Sequence, residues 1–285
     1  MAKRNVLITG AAGYLAGQLL PVFRERYTLT LLDIRKQRRD GTVIEDIVEV
    51  DLIDHNLDNY RKYFRGIDTV VHLGYKGNTF ADFRKATFFD ELDNVRMAYN
   101  VYQVALEEGV RRVVVASSNH AADWYEHQLI RTRKLDMLTP DFPPKSDNYY
   151  GWAKLAYEGL GFVYASGTRG RKLEVIQLRI GAPRRIDVNL FKDNPLGYKR
   201  DLGAYLSERD WRQLVLRSIE TENIEDEHGI PFQIFYGISD NARAFWSIAN
   251  ARKVIGYQPE DDSEVTFAED IRQFLMGENP KPGKL

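Results

Sequence analysis

Tyr150 and Lys154 stand four residues apart in NYYGWAKLAYE, a spacing that puts both on one face of a helix. A free phenol has a pKa of about 10, so ionising it at pH 7 costs roughly 4 kcal/mol. An ammonium about 4 Å away returns an amount of the same order at an effective dielectric of about 20. Burial subtracts from that gain. The balance is expected to bring the phenol toward neutrality, as a general base requires. Tyr149 offers no rival pair, because Ala153 stands four residues after it. A chance Tyr and Lys on an amphipathic helix is the alternative, since the spacing alone is common.

One helix earlier, VVVASSNH (113–120) sets an apolar run against Ser117, Ser118, Asn119 and His120. Ligands of open α/β sheets sit at the carboxyl ends of the strands. Ser118 is therefore expected to hydrogen-bond the reacting oxygen beside Tyr150. Asn119 and His120 are expected to reach other substrate hydroxyls. A Ser/Asn turn closing a strand is the plainer alternative.

VLITGAAGYLAG (6–17) places Gly10 and Gly13 after the first apolar run and at the mouth of a helix. Glycine there permits a tight turn and lets backbone N–H groups approach a pyrophosphate. Ala12, Tyr14 and Leu15 complete the cradle. Ala16, with Gly17 beside it, takes the third fingerprint position, where a small residue lets helix and strand pack closely. Asp33, followed by Ile34, closes the next apolar run, 20 residues after Gly13. A carboxylate there accepts both ribose hydroxyls and repels a 2′-phosphate, which favours NAD over NADP. Arg35 and Lys36 soften that preference or are simply solvated. Asp51 and Leu52 are placed to meet the adenine.

These residues need a scaffold, and its rhythm is legible. Short β-branched runs at 5–9, 28–33, 46–51, 68–74, 112–118, 173–181 and 232–238 alternate with helical stretches at 14–26, 56–65, 89–109 and 148–167. Several strands are apolar on consecutive residues, as when both faces are covered. The alternation predicts an α/β fold with a Rossmann-type, doubly wound parallel sheet. Pro21 predicts a kink in the first helix, and Gly109 a helix stop. Residues 184–201 read as a long loop. Ser207 and Asp210 predict a capping box opening a helix over 208–221. Trp211, Phe245 and Trp246 are expected in a C-terminal core or a dimer contact, and the tail NPKPGKL as a mobile end. The expected organisation is a dinucleotide-binding part over 1–181, with a small substrate-binding region over 182–285 packed on it rather than independent.

The bulk composition excludes other classes. The chain has 285 residues, 40 basic and 41 acidic, so no global field points to nucleic acid or membrane. It has no cysteine, which removes disulfides, thiolate metal sites and cysteine nucleophiles. The N-terminal apolar run is too short for a signal segment or a membrane span. The chain reads as soluble and cytoplasmic. His120, Asp123, Glu126 and His127 cluster in sequence, but their spacing fits no standard zinc pattern and no metal is expected.

Taken together, TGAAG (9–13), Asp33, DL (51–52), HLG (72–74), Ser118 and YGxxK (150–154) resemble an extended short-chain dehydrogenase/reductase of the NAD-dependent epimerase/dehydratase type. Leu73 and Gly74 join the cofactor set on that resemblance. ASSNH (116–120), LRIG (178–181) and YGISDN…FW (236–246) are similar to the uronate dehydrogenases within it. The resemblance implies oxidation of a cyclic aldose or uronate at C1 to the lactone, with NAD as cofactor. Tyr150 would take the hydroxyl proton, Lys154 would hold the nicotinamide ribose, and Ser118, Asn119 and His120 would bind the sugar. Arg200 in GYKRD matches the arginine aimed at a substrate carboxylate. The resemblance also suggests a homo-oligomer.

The sequence departs from that pattern as well. Tyr75 and Lys76 follow HLG where small residues and a serine are usual, and Ala182 follows RIG where a serine is usual. The segment between Ser118 and Tyr150 is longer. Lys76, Arg184, Arg185, Lys199 and Arg200 would suit an anionic group or be solvated loop charges. A nucleotide-sugar epimerase or dehydratase with tightly held NAD, and a non-catalytic dinucleotide sensor, are the competing readings.

Overall fold

A computed structural model describes residues 3–77, 85–192 and 194–276. In chain order the main elements are β1 (Asn5–Thr9), α1 (Tyr14–Arg26), β2 (Thr28–Asp33), β3 (Ile47–Glu49), α2 (Asp58–Arg61), β4 (Thr69–His72), α3 (Phe88–Glu107) and β5 (Arg112–Ser118). There follow α4 (Asp123–Tyr125), α5 (Tyr149–Ala165), β6 (Glu174–Ile180), α6 (Pro195–Ala204), α7 (Glu208–Glu220), β7 (Phe232–Gly237) and α8 (Ala249–Ile255). The seven strands form one parallel sheet in the order β3-β2-β1-β4-β5-β6-β7. This is the Rossmann-type arrangement. Strand order reverses between β1 and β4, and a crevice opens there at the carboxyl ends.

The consecutive apolar residues of the strands divide between two cores because side chains alternate across a sheet. Val6, Ile8, Val71 and Val114 join Leu19, Phe23 and Trp211 on the side of α1 and α7. Leu7, Val70, Val113 and Val115 join Val101, Tyr102 and Tyr157 on the side of α3 and α5. A third cluster, with Tyr198, Leu202, Tyr205 and Phe267, seats α6. Residues beyond 181 thus supply β7 of the main sheet, α7 on its face and α6 at its rim.

Local details follow from side-chain chemistry. Thr87 and Asp90 form a reciprocal capping box at the start of α3. Gly109, with φ of 76°, follows its end in the left-handed conformation. Pro21 lies inside α1, which continues on both sides of it. Three sequence expectations change. Residues 184–201, expected as a loop, contain a short 3-10 turn (188–191) and most of α6. Pro195 at its first turn and the Asn194 cap nucleate it. The 56–65 helix is a single turn of α2 followed by a 3-10 turn at Lys62–Phe64. Ser207 caps Asp210 N at 3.0 Å, but the Asp210 carboxylate accepts from Ser239, Glu260 and Asp261 instead of closing a capping box. Trp211 and Trp246 are buried, as expected. The expected mobile tail lies outside the described residues.

Candidate active site

The glycine turn is fixed by geometry that only glycine satisfies. Gly10 has φ of 67°, and a Cβ there would lie 2.7 Å from the Leu73 carbonyl. The turn therefore nests against the β4 end at Leu73 and Gly74. Gly13 N–H donates to Gly10 O at 2.9 Å and caps α1. The first-turn N–H groups of Tyr14, Leu15 and Ala16 have no intrahelical acceptor and head the crevice. Ala16 is fully buried, as close helix–sheet packing requires. The Asp33 carboxylate accepts from Ala12 N at 3.0 Å and from Arg35 N at 3.3 Å, so it is aimed into the turn. Ile34 and Tyr14 are exposed beside it, while Leu52 is buried and its carbonyl accepts from Asn100. Asp51 turns back on Ile53 N. A dinucleotide fits this cradle: a glycine-only approach, a helix N-terminus and a carboxylate at the second strand end.

Tyr150 lies on the first turn of α5, and packing brings it to the end of β5. A Cβ on Gly151 would sit 2.2 Å from the His120 carbonyl, so only glycine lets the two segments meet this closely. Asn148 caps α5 through Gly151 N at 2.8 Å, and its Nδ2 donates to Asp123 at 2.9 Å. Asp123 holds His120 Nδ1 at 2.8 Å, and the His120 ring stands 5.7 Å from that of Tyr150. Ser118 hydrogen-bonds the Tyr150 phenol. Ser118 also lies 3.4 Å from Asn119 Oδ1, a buried side chain. Ser118, Asn119, His120 and Tyr150 therefore gather at one strand end, as expected.

Lys154 is buried one turn further along α5. Its Nζ donates to Ala116 O at 3.0 Å and sits 5.4 Å from the centre of the Tyr150 ring. Tyr75 and Tyr157 also face it, at 5.2 and 4.5 Å. Tyr75, the departure noted after HLG, meets Tyr150 edge-on at 5.6 Å and donates to Glu91 at 2.7 Å. Below Lys154, Glu158 forms a buried bidentate pair with Arg179 at 2.8 Å and accepts from Ser117 at 2.8 Å. Arg179 also reaches the Tyr236 hydroxyl at 3.2 Å. On the other side, Thr9 Oγ1 bonds His72 Nδ1 at 2.7 Å and accepts from Gly74 N at 3.2 Å. Burial, reinforced by the Lys154 charge, brings His72 down to about 3, so that ring is neutral.

Three of the expected anion contacts have other partners. Lys76 Nζ pairs with Asp93 at 2.6 Å, on the exposed edge of α3. Arg200 is held by Glu126 at 3.2 Å and by Asp201 at 3.3 Å. Arg184 likewise pairs with Asp201, at 2.7 Å. The four metal-like residues near 120–127 disperse into His120–Asp123, Glu126–Arg200 and His127–Asp147 contacts.

The NAD dependent epimerase/dehydratase family model matches residues 6–180. The chain belongs to that family. Among similar proteins is the NAD-dependent glucose-6-phosphate dehydrogenase of Haloferax volcanii, 32% identical over 92% of this chain and 95% of that one. A uronate dehydrogenase of Pseudomonas putida is 30% identical over 91% of this chain and 85% of its own length. The crystal structure of uronate dehydrogenase from Agrobacterium tumefaciens has a TM-score of 0.72 at 25% identity, covering 100% of this chain and 92% of that one.

The electrostatics of this family member's site correct one expectation. Burial pushes the Tyr150 phenol up to about 12; Ser118 pulls it back, while Glu91 and Asp123 add to the rise. Burial brings the Lys154 ammonium down to about 8, against the pull of Glu91 and Glu158. Desolvation outweighs the attraction that spacing alone suggested. Of the two, the ammonium is thus the first to give up its proton, and the phenol keeps its own well above neutrality. For substrate oxidation with Tyr150 as base, kcat/KM is therefore expected to rise with pH across the neutral range and to fall toward acid, because burial leaves only a small fraction of the phenol ionised there. A profile flat down to pH 5 contradicts this assignment.

Proposed function

We propose that the protein is an NAD-dependent sugar dehydrogenase that oxidises the C1 hydroxyl of a cyclic aldose or aldose acid to the lactone. The observation that carries this reading is the meeting of Tyr150, Ser118 and His120 at the end of β5, beside the Gly10–Asp33 cradle. Gly10, Ala12, Gly13, Tyr14 and Leu15 would hold the pyrophosphate, and Asp33 and Ile34 the adenosine ribose. Asp51 and Leu52 would border the adenine. Leu73, Gly74, Tyr150 and Lys154 would line the nicotinamide end. Bound NAD supplies the two-electron acceptor that takes the C1 hydrogen as hydride.

The chain's own groups handle the proton. Tyr150 Oη accepts the C1 hydroxyl proton as the carbonyl forms. Ser118 orients the same oxygen by hydrogen bonding. Lys154, held by Ala116 O, keeps a positive charge beside the phenol. Asp123 accepts a hydrogen bond from His120 Nδ1 and so sets the orientation of the ring beside Tyr150. Asn119 adds a buried amide to the sugar side. The names of the relatives support the substrate class, since they act on a sugar phosphate and on uronates. The homo-oligomer that the resemblance suggests would suit the outer faces of α3 and α5, where Phe89, Tyr99 and Phe162 are exposed.

The test is a panel of aldoses, uronates and aldose 6-phosphates, followed by absorbance of the reduced nicotinamide. Net, substrate-dependent reduction of NAD is expected with at least one of them. A sugar interconverted without net reduced cofactor favours the epimerase reading. Cofactor binding without turnover of any sugar favours the sensor.

A further inference from the structure

The pairing of Arg200 bears on which sugar the site accepts. Its Nε lies 3.2 Å from both Glu126 oxygens and its Nη2 3.2 Å from Oε2. Nη1 reaches Asp201 at 3.3 Å, and the guanidinium lies 5.1 Å over the Trp246 ring. Glu126 also accepts from Arg131 at 2.9 Å. The Glu126 side chain is 3% exposed and that of Arg200 17%. This is a built, nearly closed ion-pair group.

Its place in the chain ties it to the reacting groups. Glu126 lies one helical turn after Asp123, the residue that holds His120 against Tyr150. Arg200 feels the Asp123 carboxylate as well as Glu126. The guanidinium is thus already matched by the protein's own carboxylates. A substrate carboxylate directed at Arg200 would have to displace Glu126. The displaced Glu126 would keep only Arg131, on a side chain that is 57% exposed. Three carboxylates, Asp123, Glu126 and Asp201, would then crowd the incoming fourth. Leaving a buried charge without its partner costs far more than an exposed pair returns. A sugar hydroxyl meets no such obstacle, because it donates to a carboxylate and accepts from a guanidinium.

We infer that Glu126 is a specificity-determining residue, which occupies Arg200 internally and makes the site select an aldose with an uncharged C5 substituent over the corresponding uronate. The inference rests on the sugar-dehydrogenase reading and narrows its substrate class. It also accounts for a site whose arginine matches a carboxylate-binding pattern while its surroundings do not.

The experiment compares sugars that differ only at C6: glucose, glucuronate and glucose 6-phosphate, and galactose with galacturonate. The full chain is assayed with NAD, as wild type and as Glu126→Gln. The wild type is expected to favour the neutral sugar by about tenfold or more in kcat/KM, the scale of a charged hydrogen bond denied to the substrate. Glu126→Gln keeps the shape, releases Arg200 and is expected to raise the uronate-to-neutral ratio by about tenfold to a hundredfold. A wild type that prefers the uronate or the 6-phosphate overturns the inference. So does a Gln variant that changes all sugars by the same factor, which a purely structural Glu126 would give.

If Glu126→Gln does not fold, the wild-type preference and the weak inhibition expected from uronates decide the matter. Turnover of no sugar at all defeats the dehydrogenase reading instead. Calorimetric binding to the NAD complex then tests Glu126 separately, with neutral sugar bound more tightly than uronate supporting it and the reverse overturning it.

Discussion

Tyr150→Phe should reduce kcat by about a hundredfold to ten-thousandfold, the usual worth of a positioned general base. NAD affinity should stay within about threefold, since the phenylalanine ring still lines the nicotinamide end and the cradle at Gly10 and Asp33 is untouched. The substitution removes one oxygen and leaves the ring. The edge contacts with Tyr75 and His120, at 5.6 and 5.7 Å, and the Lys154 contact need only that ring. Loss of turnover with unchanged melting temperature and unchanged cofactor binding therefore isolates the proton transfer. The residual rate should also lose the acid limb of its pH profile, because the titrating phenol is gone. Steady-state kinetics and fluorescence titration of the cofactor check both halves. A variant that keeps more than about a tenth of wild-type kcat places the base elsewhere.

The second large effect lies beneath the site. Arg179→Met should destabilise the protein by about 3–5 kcal/mol, because it strands Glu158 as an unpaired buried carboxylate. Arg179 and Glu158 side chains are 1% and 4% exposed, so solvent does not relieve the charge. For a chain of this size the loss corresponds to a melting temperature lower by about 10 °C. Glu158 is four residues after Lys154 on α5, and its contacts with Ser117 and Arg179 pin that helix to β5 and β6. Activity should fall together with stability. Replacing both members by Met should recover most of the loss, since removing an ion pair whole spares the stranded charge. Differential scanning calorimetry of the single and double variants checks this. An Arg179→Met melting temperature within about 2 °C of wild type shows that the pair does not anchor α5.

These two results draw on parts of the molecule that differed in legibility. Tyr150, Lys154, the glycine turn and Asp33 were readable because each depends on short spacing: a helical period, a tight turn or a strand end. The sheet was readable for the same reason, since consecutive apolar residues in 6–9, 69–72 and 112–118 supply both cores. What stayed hidden were pairings across the fold. Arg200 and Glu126 are 74 residues apart, and Arg179 and Glu158 21 apart, so nothing local marks either as a pair. Lys76 looked available for an anion because Asp93 is 17 residues away.

α6 reads as loop in the sequence because residues 184–201 are rich in charge and turn residues; in the fold Leu196 is 74% exposed. Its Asn-Pro start was the one local signal. The Tyr150 environment was misjudged for a physical reason: spacing reports the neighbouring charge but not how deeply the phenol is buried. Asp123 was visible only as a member of an acid–histidine cluster. Its service to His120 depends on the turn that follows β5.

The most direct test of the central claim is oxidation of the preferred sugar carrying deuterium at C1. Mass spectrometry of the cofactor should find that deuterium on the reduced nicotinamide ring, with reduced cofactor and lactone formed in equal amounts. A sugar product with deuterium retained at C1, or reduced cofactor that carries none, contradicts the account.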